Sequence, residues 1–502
     1  MTDGHRRQDG EALHIAIDLG AGSGRAFVGA VGSAGLRLTE VHRFHYAPRR
    51  IDGHSRWDIE ALTAGLQEGL GRARAAAESL SATLVSVGVD SWGVDYALLD
   101  AGGHLLEDPI CYRDERTADA IDEVLAVVPR DEVYARTGIQ IQPYNTLYQL
   151  WAHVRDGLPP RAARLLLIPD VCHHLLCGSL VSERTNASTT QLVDVRTGRW
   201  DEQLFDQLHL PRHLMPDIVA AGTILGTLRP EFGAERHGQP LLVVAPGTHD
   251  TASAVAGTPL APGWAFISSG TWSLVGVERH EPLLSDGAAR ANLTNESGVF
   301  GSVRLLANVM GLWLLESCRR EWEAAGLRQD LPSLLAAVAR APESAGVVFP
   351  DDRRFFTPSS MTRAVRAALA DSGQNDTDDP VLLSKVVLDS LALRYASVVT
   401  RIEELTGHAI EGLHIVGGGS QNHYLNQATA NASGRSVLAG PVEAAATGNV
   451  FVQAIATGQL ASLEEGRRLL RGSLTLRRFE PCNRTHWVEL SRRYRDLEAH
   501  HR

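Results

Sequence analysis

Three glycine-rich turns interrupt the apolar runs of this chain. Residues 14–31, HIAIDLGAGSGRAFVGAV, are an apolar run, a glycine turn and a second apolar run, which predicts a β-hairpin. Residues 265–277, AFISSGTWSLVGV, repeat the pattern, consistent with an internal duplication. Residues 412–422, GLHIVGGGSQN, contain a third predicted strand and lead into an alanine-rich segment that we expect to be helical. We expect the three turns to flank one cleft.

The segments between these turns alternate between strand and helix patterns. Residues 86–100, SVGVDSWGVDYALLD, are predicted to be strands. Helices are predicted over residues 120–129, most of 164–178, and 380–405. Residues 349–360 and 371–380 are rich in proline, glycine and charge and are predicted to be loops. The chain is therefore of the α/β class.

Composition narrows the type of protein. A chain of 502 residues is long enough for two large lobes or three smaller units. No apolar run approaches the ~20 residues of a membrane span, and the polar first ten residues are not a signal peptide, so we expect a cytoplasmic protein that does not bind membranes. The net charge of −11 comes without long charge runs, which disfavours a nucleic-acid partner.

Lys385 is the only lysine of the chain, and it lies inside a predicted helix. A Walker A loop needs a lysine directly after a glycine, and a protein-kinase fold needs one near the N-terminus, so both are excluded. A Schiff-base enzyme is disfavoured because Lys385 has no activating neighbour in the sequence.

The first glycine turn is suited to bind phosphate. Gly20, Gly22 and Gly24 precede a strand rather than a helix, which disfavours a dinucleotide fingerprint. A turn over residues 20–25 can still surround a triphosphate with backbone N–H groups. Asp18 at the strand end could orient Mg²⁺, directly or through a bound water. The alternative is an aspartate that hydrogen-bonds to its own turn.

The segment APGTHDTASAV, residues 245–255, carries the strongest candidate for chemistry. A sugar kinase needs a base for the attacking hydroxyl, and Asp250 suits that role, while His249 could orient the sugar. The alternative is that Asp250 caps the following helix. In the second glycine turn, Thr271 could meet the terminal phosphate, or it could be structural.

Trp92 and Gly93, in DSWGVD, combine a flat apolar ring with an open backbone position, which suits the apolar face of a sugar. A buried core tryptophan is the alternative. His173 and His174 lack suitably spaced Cys or acidic partners, so we predict no structural metal.

Taken together, these motifs resemble the FGGY carbohydrate kinases, most closely the rhamnulokinases, over residues 14–458. The matching segments, in chain order, are DLGAGSGR (18–25), DSWGVDYALLD (90–100), GTHDTASAV (247–255), SSGTWSLVG (268–276), NVMGLWLLE (308–316) and HIVGGGSQN (414–422).

The resemblance implies an α/β fold of two ribonuclease-H-like lobes, of the actin/hexokinase ATPase type, with the active site in the cleft between the lobes. It implies a tail over residues 1–12, an N-terminal lobe over 13–255, a C-terminal lobe over 256–480 and a helical tail over 481–502. The implied reaction transfers the γ-phosphate of ATP to the 1-hydroxyl of L-rhamnulose, with Mg²⁺ as cofactor, in L-rhamnose catabolism. A monomer or homodimer is expected.

The resemblance also implies roles for particular residues. Asp250 is the proton acceptor. The nucleotide contacts are Ala21, Gly22, Ser23, Gly24, Arg25, Thr271, Glu316 and Gly418. The sugar contacts are Gly93, His249, Asp250, Thr251 and Asn308, with Asp18 near the metal.

Three positions depart from the family pattern. Glu316 replaces a usual glutamine, so an amide donor becomes a carboxylate that only accepts while ionised. Gly22 replaces a common serine, and Ser420 stands where cysteine is frequent; both substitutions keep a small residue.

Two other functions remain open from the sequence. The enzyme could phosphorylate another ketose, such as L-fuculose or a pentulose, because a few contacts decide the pocket. A non-catalytic sensor of nucleotide and sugar, or an actin-like ATPase switch, is the alternative of a different class. The presence of Asp18, Asp250 and Thr271 together argues against it.

Overall fold

The computed structural model describes residues 11–233, 240–342 and 346–501. The tail predicted over residues 1–12 lies outside the described residues except for its last two. The chain forms two compact units. Unit 1 comprises Met1–Pro259, Glu296–Ser302 and Ala445–Leu474, and unit 2 comprises Leu260–Asn295, Val303–Ala444 and Thr475–Arg502. The lobe boundaries given above stay predictions.

Within the described residues, the strands are β1 Ala12–Gly20, β2 Ser23–Gly32, β3 Gly35–His45, β4 Arg49–Ile51, β5 His54–Arg56, β6 Thr83–Ser91, β7 Tyr96–Leu99, β8 Arg164–Leu167, β9 Ser182–Glu183, β10 Val193–Asp194, β11 Arg199–Trp200, β12 Ile218–Val219, β13 Ile224–Thr227, β14 Leu242–Val244, β15 Trp264–Ser269, β16 Trp272–Arg279, β17 Thr294–Ser297, β18 Val303–Met310, β19 Gly412–Val416, β20 Ser436–Ala439 and β21 Arg477–Phe479.

In the same residues, the α-helices are α1 Ile59–Ser79, α2 Ala120–Val127, α3 Arg130–Thr137, α4 Thr146–Asp156, α5 Ile168–Cys177, α6 Arg184–Ala187, α7 Glu202–Gln207, α8 Asp250–Ala256, α9 Asp286–Arg290, α10 Trp313–Ala324, α11 Leu331–Arg340, α12 Met361–Asp371, α13 Pro380–Thr406, α14 His423–Ser433, α15 Ala444–Ala456, α16 Leu463–Ser473 and α17 Arg484–Ala499.

The sheet of unit 1 places three parallel strands side by side. Its spatial order is β13, β14, β6, β1, β2, β3, in which β14, β6 and β1 are parallel and the other neighbours pair antiparallel. Every residue of β1 from Leu13 to Leu19 is buried, as expected of a central strand that is covered on both faces. The carboxyl ends of the three parallel strands lie at one edge of this sheet.

The sheet of unit 2 has a similar centre. Its order is β17, β18, β16, β15, β19, β20, β21, with β15, β19 and β20 parallel. Helix α13 packs in its core through a long buried face that includes Leu388, Leu391 and Tyr395. The helix begins at Pro380, where the Asp379 side chain accepts a hydrogen bond from Val381 N, and it ends before Gly407 in the left-handed conformation.

The predicted elements are largely confirmed. Both glycine hairpins form, as β1–β2 and β15–β16, and the third glycine cluster links β19 to α14 through the 3₁₀ turn Gly418–Gln421. The predicted helix over 164–178 begins only at Ile168, because residues 164–167 pair with β7 as strand β8. Among the residues that the structure describes, no helix has both the length and the apolar character to cross a membrane.

Candidate active site

The carboxyl edge of the unit 1 sheet collects three of the sequence motifs. The turn after β1, the segment after β6 and the segment after β14 all begin there, because their strands are parallel neighbours. Backbone hydrogen bonds join these segments: Ser91 N donates to Thr248 O at 2.9 Å, and Trp92 N donates to Leu19 O at 3.3 Å. Open α/β sheets bind ligands at this edge.

The turn of residues 20–25 is tight and partly open. Gly22 N donates to Gly20 O at 2.7 Å, and the Tyr46 hydroxyl donates to the same oxygen at 2.5 Å. A Cβ placed on Gly22 would have its nearest described neighbour at 3.9 Å, whereas one on Gly24 would overlap the Phe44 ring. Backbone at Gly22 is therefore open to approach by a phosphate, while Gly24 is required by packing.

Asp18 and Asp90 lie side by side in the register of β1 and β6. Asp18 forms an ion pair with Arg25. Asp90 is fully buried; its Oδ2 accepts from Asn449 Nδ2 at 2.6 Å, and its Oδ1 has no hydrogen-bond partner among the described residues. Burial, with the negative charges of Asp18 and Asp250, raises the pKa of Asp90 well above its usual value.

Asp250 is the most accessible of the three carboxylates at this edge. Its side chain is 33% exposed, against 8% for Asp18, while Asp90 is fully buried. The helix cap is His249, whose Nδ1 accepts from Thr251 N at 3.1 Å, so the alternative that Asp250 caps α8 is wrong. Asp250 is instead the first helical residue, and its Oδ1 accepts from the Thr251 hydroxyl at 3.0 Å. An oriented, accessible carboxylate of this kind is suited to act as a base.

Gly93 touches the same segment. A Cβ on Gly93 would lie 2.9 Å from both His249 Cδ2 and Thr189 Oγ1, so only glycine fits without displacing them. Trp92 is 7% exposed, which favours the core alternative for most of its ring. Its ring centroid lies 4.6 Å from that of Trp57.

A buried carboxylate that sequence reasoning missed holds the segment before Asp250. Glu183 Oε2 accepts from the backbone N and the hydroxyl of Thr248, at 3.0 and 2.9 Å. The same oxygen accepts from the backbone N of Thr185 at 3.0 Å and from its hydroxyl at 2.5 Å, and Thr185 Oγ1 accepts from His249 N at 3.2 Å. The acidic residue Glu183 in the run ERTNAST, residues 183–189, was the only indication in the sequence, and nothing there pairs it with Thr248.

The predicted nucleotide contacts of unit 2 form a separate group at the edge of its own sheet. The turn of Gly270 and Thr271 follows β15, and Gly418 follows the neighbouring parallel strand β19. A Cβ on Gly419 would overlap the Ser269 hydroxyl, which shows that the two turns are in contact. A Cβ on Gly418 would have no described atom within 4 Å. Gly418 and Thr271 are exposed. This part of unit 2 presents backbone that a ligand could approach.

Glu316 and Asn308 also belong to unit 2. Glu316 lies in the first turn of α10. The start of this helix is bonded to the second glycine turn, because Leu312 N donates to Gly270 O at 3.0 Å. Its carboxylate oxygens both lie 2.8 Å from Nη1 of Arg319. Asn308 pairs with Leu274 in the β16–β18 register. Both assigned contacts stay predictions.

Lys385 has neighbours that the sequence did not reveal. Its ammonium bonds to the Tyr424 hydroxyl and lies 3.5 Å from Asp389, and the side chain is only 10% exposed. Tyr424 donates to Asp389 Oδ1 at 2.6 Å. The three side chains link α13 to α14 inside unit 2, which accounts for the lysine as a structural residue.

Both halves of the chain match a known family. Residues 13–257 match the N-terminal domain of the FGGY family of carbohydrate kinases, and residues 265–457 match its C-terminal domain. Among curated proteins, the chain is 42% identical to the rhamnulokinase of Pectobacterium carotovorum subsp. carotovorum, covering 96% of each chain. It is 41% identical to that of Klebsiella pneumoniae subsp. pneumoniae, covering 93% of this chain and 94% of the relative.

Solved structures agree on the fold. A gluconate kinase from Lactobacillus acidophilus superposes with a TM-score of 0.78 at 13% identity, covering 97% of both chains. Plasmodium falciparum glycerol kinase superposes with a TM-score of 0.76 at 16% identity, covering 97% of this chain and 98% of that one. The two-domain α/β fold and the family resemblance predicted from sequence are confirmed.

Proposed function

Because the chain belongs to the FGGY family of carbohydrate kinases, which are phosphotransferases, we propose that it transfers the γ-phosphate of ATP to the 1-hydroxyl of L-rhamnulose. The products are L-rhamnulose 1-phosphate and ADP, and the reaction serves L-rhamnose breakdown in the cytoplasm. The relatives at 41 and 42% identity, both named rhamnulokinase, support this choice of sugar. The observation that carries the reaction is the placement of Asp250 as an accessible, oriented carboxylate at the carboxyl edge of the unit 1 sheet.

Asp250 acts as the general base. It takes the proton of the sugar 1-hydroxyl as that oxygen forms its bond to the γ-phosphorus, and the bond from phosphorus to the β,γ-bridging oxygen breaks to release ADP. A positioned base contributes typically about 10²–10⁴-fold to such a step. The Thr251 hydroxyl, 3.0 Å from Asp250 Oδ1, orients the carboxylate for this transfer.

The sugar is bound by Gly93, His249, Thr251 and Asn308. Support comes from unit 1, where Gly93 lies against the His249 ring and Thr251 N bonds to His249 Nδ1. These contacts support the assignment, because they join Gly93 and Thr251 to the residue directly before Asp250. The contribution of Asn308, on strand β18 of unit 2, rests on the family resemblance.

The nucleotide is bound by residues 21–25 together with Thr271, Glu316 and Gly418. The open space beside Gly22 and Gly418 supports this assignment, because a phosphate can approach the backbone closely at both glycines. The first two glycine turns contain no lysine, so the side-chain donors there are the Ser23 and Thr271 hydroxyls and Arg25, which is paired with Asp18.

Asp18 and Asp90 have the chemistry to hold Mg²⁺. Magnesium prefers oxygen ligands and keeps several waters, and Asp90 Oδ1 is a buried oxygen without a hydrogen-bond partner among the described residues. Within residues 11–233, 240–342 and 346–501, no cluster of three or more His, Cys, Asp or Glu side chains forms a cation site. The family resemblance and the position of Asp18 at the end of β1 support its assignment to Mg²⁺, directly or through water. When bound, the ion neutralises phosphate charge.

The test measures ADP production in a coupled assay that contains Mg·ATP and one of four acceptors: L-rhamnulose, L-fuculose, D-xylulose or glycerol. We expect selective turnover of L-rhamnulose that Asp250→Asn lowers by at least about 10²-fold, with ATP binding by calorimetry retained. Asp286→Asn is the matched control, since Asp286 is the first residue of α9 as Asp250 is of α8, and it should leave turnover unchanged.

The alternatives predict different results. Selective turnover of another ketose would keep the kinase and replace L-rhamnulose. ATP hydrolysis without any sugar dependence, or ATP binding without turnover, would favour the switch or the sensor. An active Asp250→Asn enzyme would refute the assignment of the base.

A further inference from the structure

The backbone beside Gly93 is strained. Val94 has φ of +71°, in the left-handed region, and its side chain is buried. A β-branched residue adopts this conformation only at an energetic cost and when its surroundings enforce it. Such strain concentrates at ligand-binding sites, and here it lies next to a predicted sugar contact.

Two side chains of α4 hold the strained residue. The Thr146 hydroxyl donates to Val94 O at 2.7 Å. Gln149 Nε2 donates to Tyr144 O at 2.8 Å and lies 3.2 Å from Val94 O, with which it shares a hydrogen. Gln149 Nε2 also donates to Asp95 Oδ1 at 3.0 Å. The carbonyl of Val94 and the carboxylate of Asp95 are therefore fixed together.

The Asp95 carboxylate fixes two indole rings at the same time. Its Oδ2 accepts from Trp57 Nε1 at 2.6 Å, from Trp92 Nε1 at 3.0 Å and from Tyr112 N at 3.2 Å. An indole N–H is only a donor, so each ring requires an acceptor when it is buried. Asp95 is 1% exposed. Its carboxylate accepts from four donors, which defines both ring orientations.

The two indole rings and Tyr46 form one buried cluster that contacts the first glycine turn and reaches Gly93. The Trp57 and Trp92 centroids are 4.6 Å apart, and Tyr46 lies 6.1 Å from each, with its hydroxyl bonded to Gly20 O. At the other end, Gly93 lies against His249. A shift of Asp95 would move the backbone that faces His249.

We propose that Asp95 is the positioning residue of the sugar pocket: through the Trp57–Trp92 pair and the strained Val94 it fixes the backbone of residues 92–94 as a rigid wall that selects among ketoses. The inference rests on the proposed kinase function and deepens it. Asp95 touches neither the sugar nor the phosphate, so its loss affects sugar affinity and selectivity more than phosphate transfer.

The decisive variant is Asp95→Asn. Asparagine presents an amide NH₂ in place of one carboxylate oxygen, so either Gln149 or the indoles and Tyr112 N face a donor. Trp57→Phe is the second variant, because it keeps an aromatic ring and removes one donor to Asp95. Asp201→Asn is the control: Asp201 is also a buried unit 1 carboxylate, 2% exposed, but it caps α7 and pairs with Arg136.

The readouts are kcat, the KM for sugar and the KM for ATP, measured for the folded variants with L-rhamnulose and with L-fructose, which differs by one hydroxyl group. We expect Asp95→Asn to raise the sugar KM by about 10- to 100-fold, as a displaced binding wall would, to leave the ATP KM unchanged and to alter the ratio of kcat/KM between the two sugars. Trp57→Phe should move the same quantities in the same direction, and Asp201→Asn should move none of them.

Distinct results would overturn the inference. An unchanged sugar KM and sugar ratio in folded Asp95→Asn would refute it and leave the kinase intact. If that variant does not fold, an unchanged sugar KM and ratio in Trp57→Phe would refute it. If Asp95→Asn lowers kcat and raises the KM for sugar and the KM for ATP by similar factors, Asp95 has a general structural role, and the inference is also overturned. Absence of turnover by the unaltered enzyme with every ketose would refute the proposed function, and this inference with it.

Discussion

Replacing Glu183 by alanine tests whether a buried carboxylate positions the base. Its Oε2 accepts four hydrogen bonds, two from Thr248 and two from Thr185, and Thr185 in turn accepts from His249 N. Thr248 and His249 are the residues directly before Asp250. Glu183 Oε2 therefore holds both residues that lead to Asp250, Thr248 directly and His249 through Thr185.

The loss in the free energy of unfolding follows from the hydrogen-bond donors that are left without an acceptor. Alanine leaves two buried backbone N–H groups, of Thr185 and Thr248, without their acceptor, while the two hydroxyls can turn to other partners. Each buried donor without an acceptor costs about 1–3 kcal/mol, so with two such donors the free energy of unfolding should fall by about 2–6 kcal/mol. A displacement of about 1 Å in the segment that carries Asp250 should lower kcat about 100-fold.

The assay compares kcat with L-rhamnulose and Mg·ATP against unfolding in urea. Glu183→Gln is the matched variant, because its amide oxygen can still accept at the position of Oε2, and its kcat should stay close to that of the unaltered enzyme. A folded Glu183→Ala enzyme with undiminished kcat would refute the reasoning. Equal losses in both variants would show that the charge, rather than the anchored oxygen, matters.

Three further substitutions test packing and titration. In Gly448→Ala, the new Cβ would lie 1.8 Å from a backbone oxygen of α8, so the free energy of unfolding should fall by more than the roughly 1–3 kcal/mol typical of overpacking, and the melting temperature and kcat should fall with it. Gly472→Ala, with no described atom within 4 Å, is the control and should lower none of these quantities. Gly93→Ala should raise the sugar KM, because its Cβ would press on the His249 ring; an unchanged KM would contradict the sugar contact. Burial lowers the pKa of His173 from 6.5 to about 3. As the pH falls below 6.5, the unfolded chain therefore takes up a proton at His173 before the folded chain does. The free energy of unfolding should be unaffected by His173 above pH 6.5 and should decrease as the pH falls toward 3. At about 1.4 kcal/mol per pH unit, His173 should lower the free energy of unfolding by about 3 kcal/mol at pH 4.5. In urea unfolding, the free energy of unfolding of His173→Gln should therefore decrease less between pH 7.5 and 4.5 than that of the unaltered protein. An equal decrease in both proteins would contradict this role.

Residues that the sequence identified share one property: their role is visible over a few neighbouring positions. The hairpin of residues 14–31 could be predicted because apolar runs and a glycine turn are contiguous. Asp250 could be singled out because a strand, a proline and glycine, and a run of small residues surround it. Asp90 and Asn449 were missed, since they are 359 positions apart and meet only when α15 packs on the unit 1 sheet.

The α/β class, the glycine turns, the family and Asp250 as the candidate base could be read from the sequence, because strand periodicity, backbone freedom at glycine and short motifs are local properties of the chain. The contacts that hold these groups in place became visible only in the folded chain. The tertiary structure paired Glu183 with Thr248, joined Asp95 to two indoles, and forced Val94, whose type is typical of a strand, into a left-handed conformation. The physical reason is that a buried polar group must find its partner wherever the fold brings one, and that partner leaves no pattern in the neighbouring sequence.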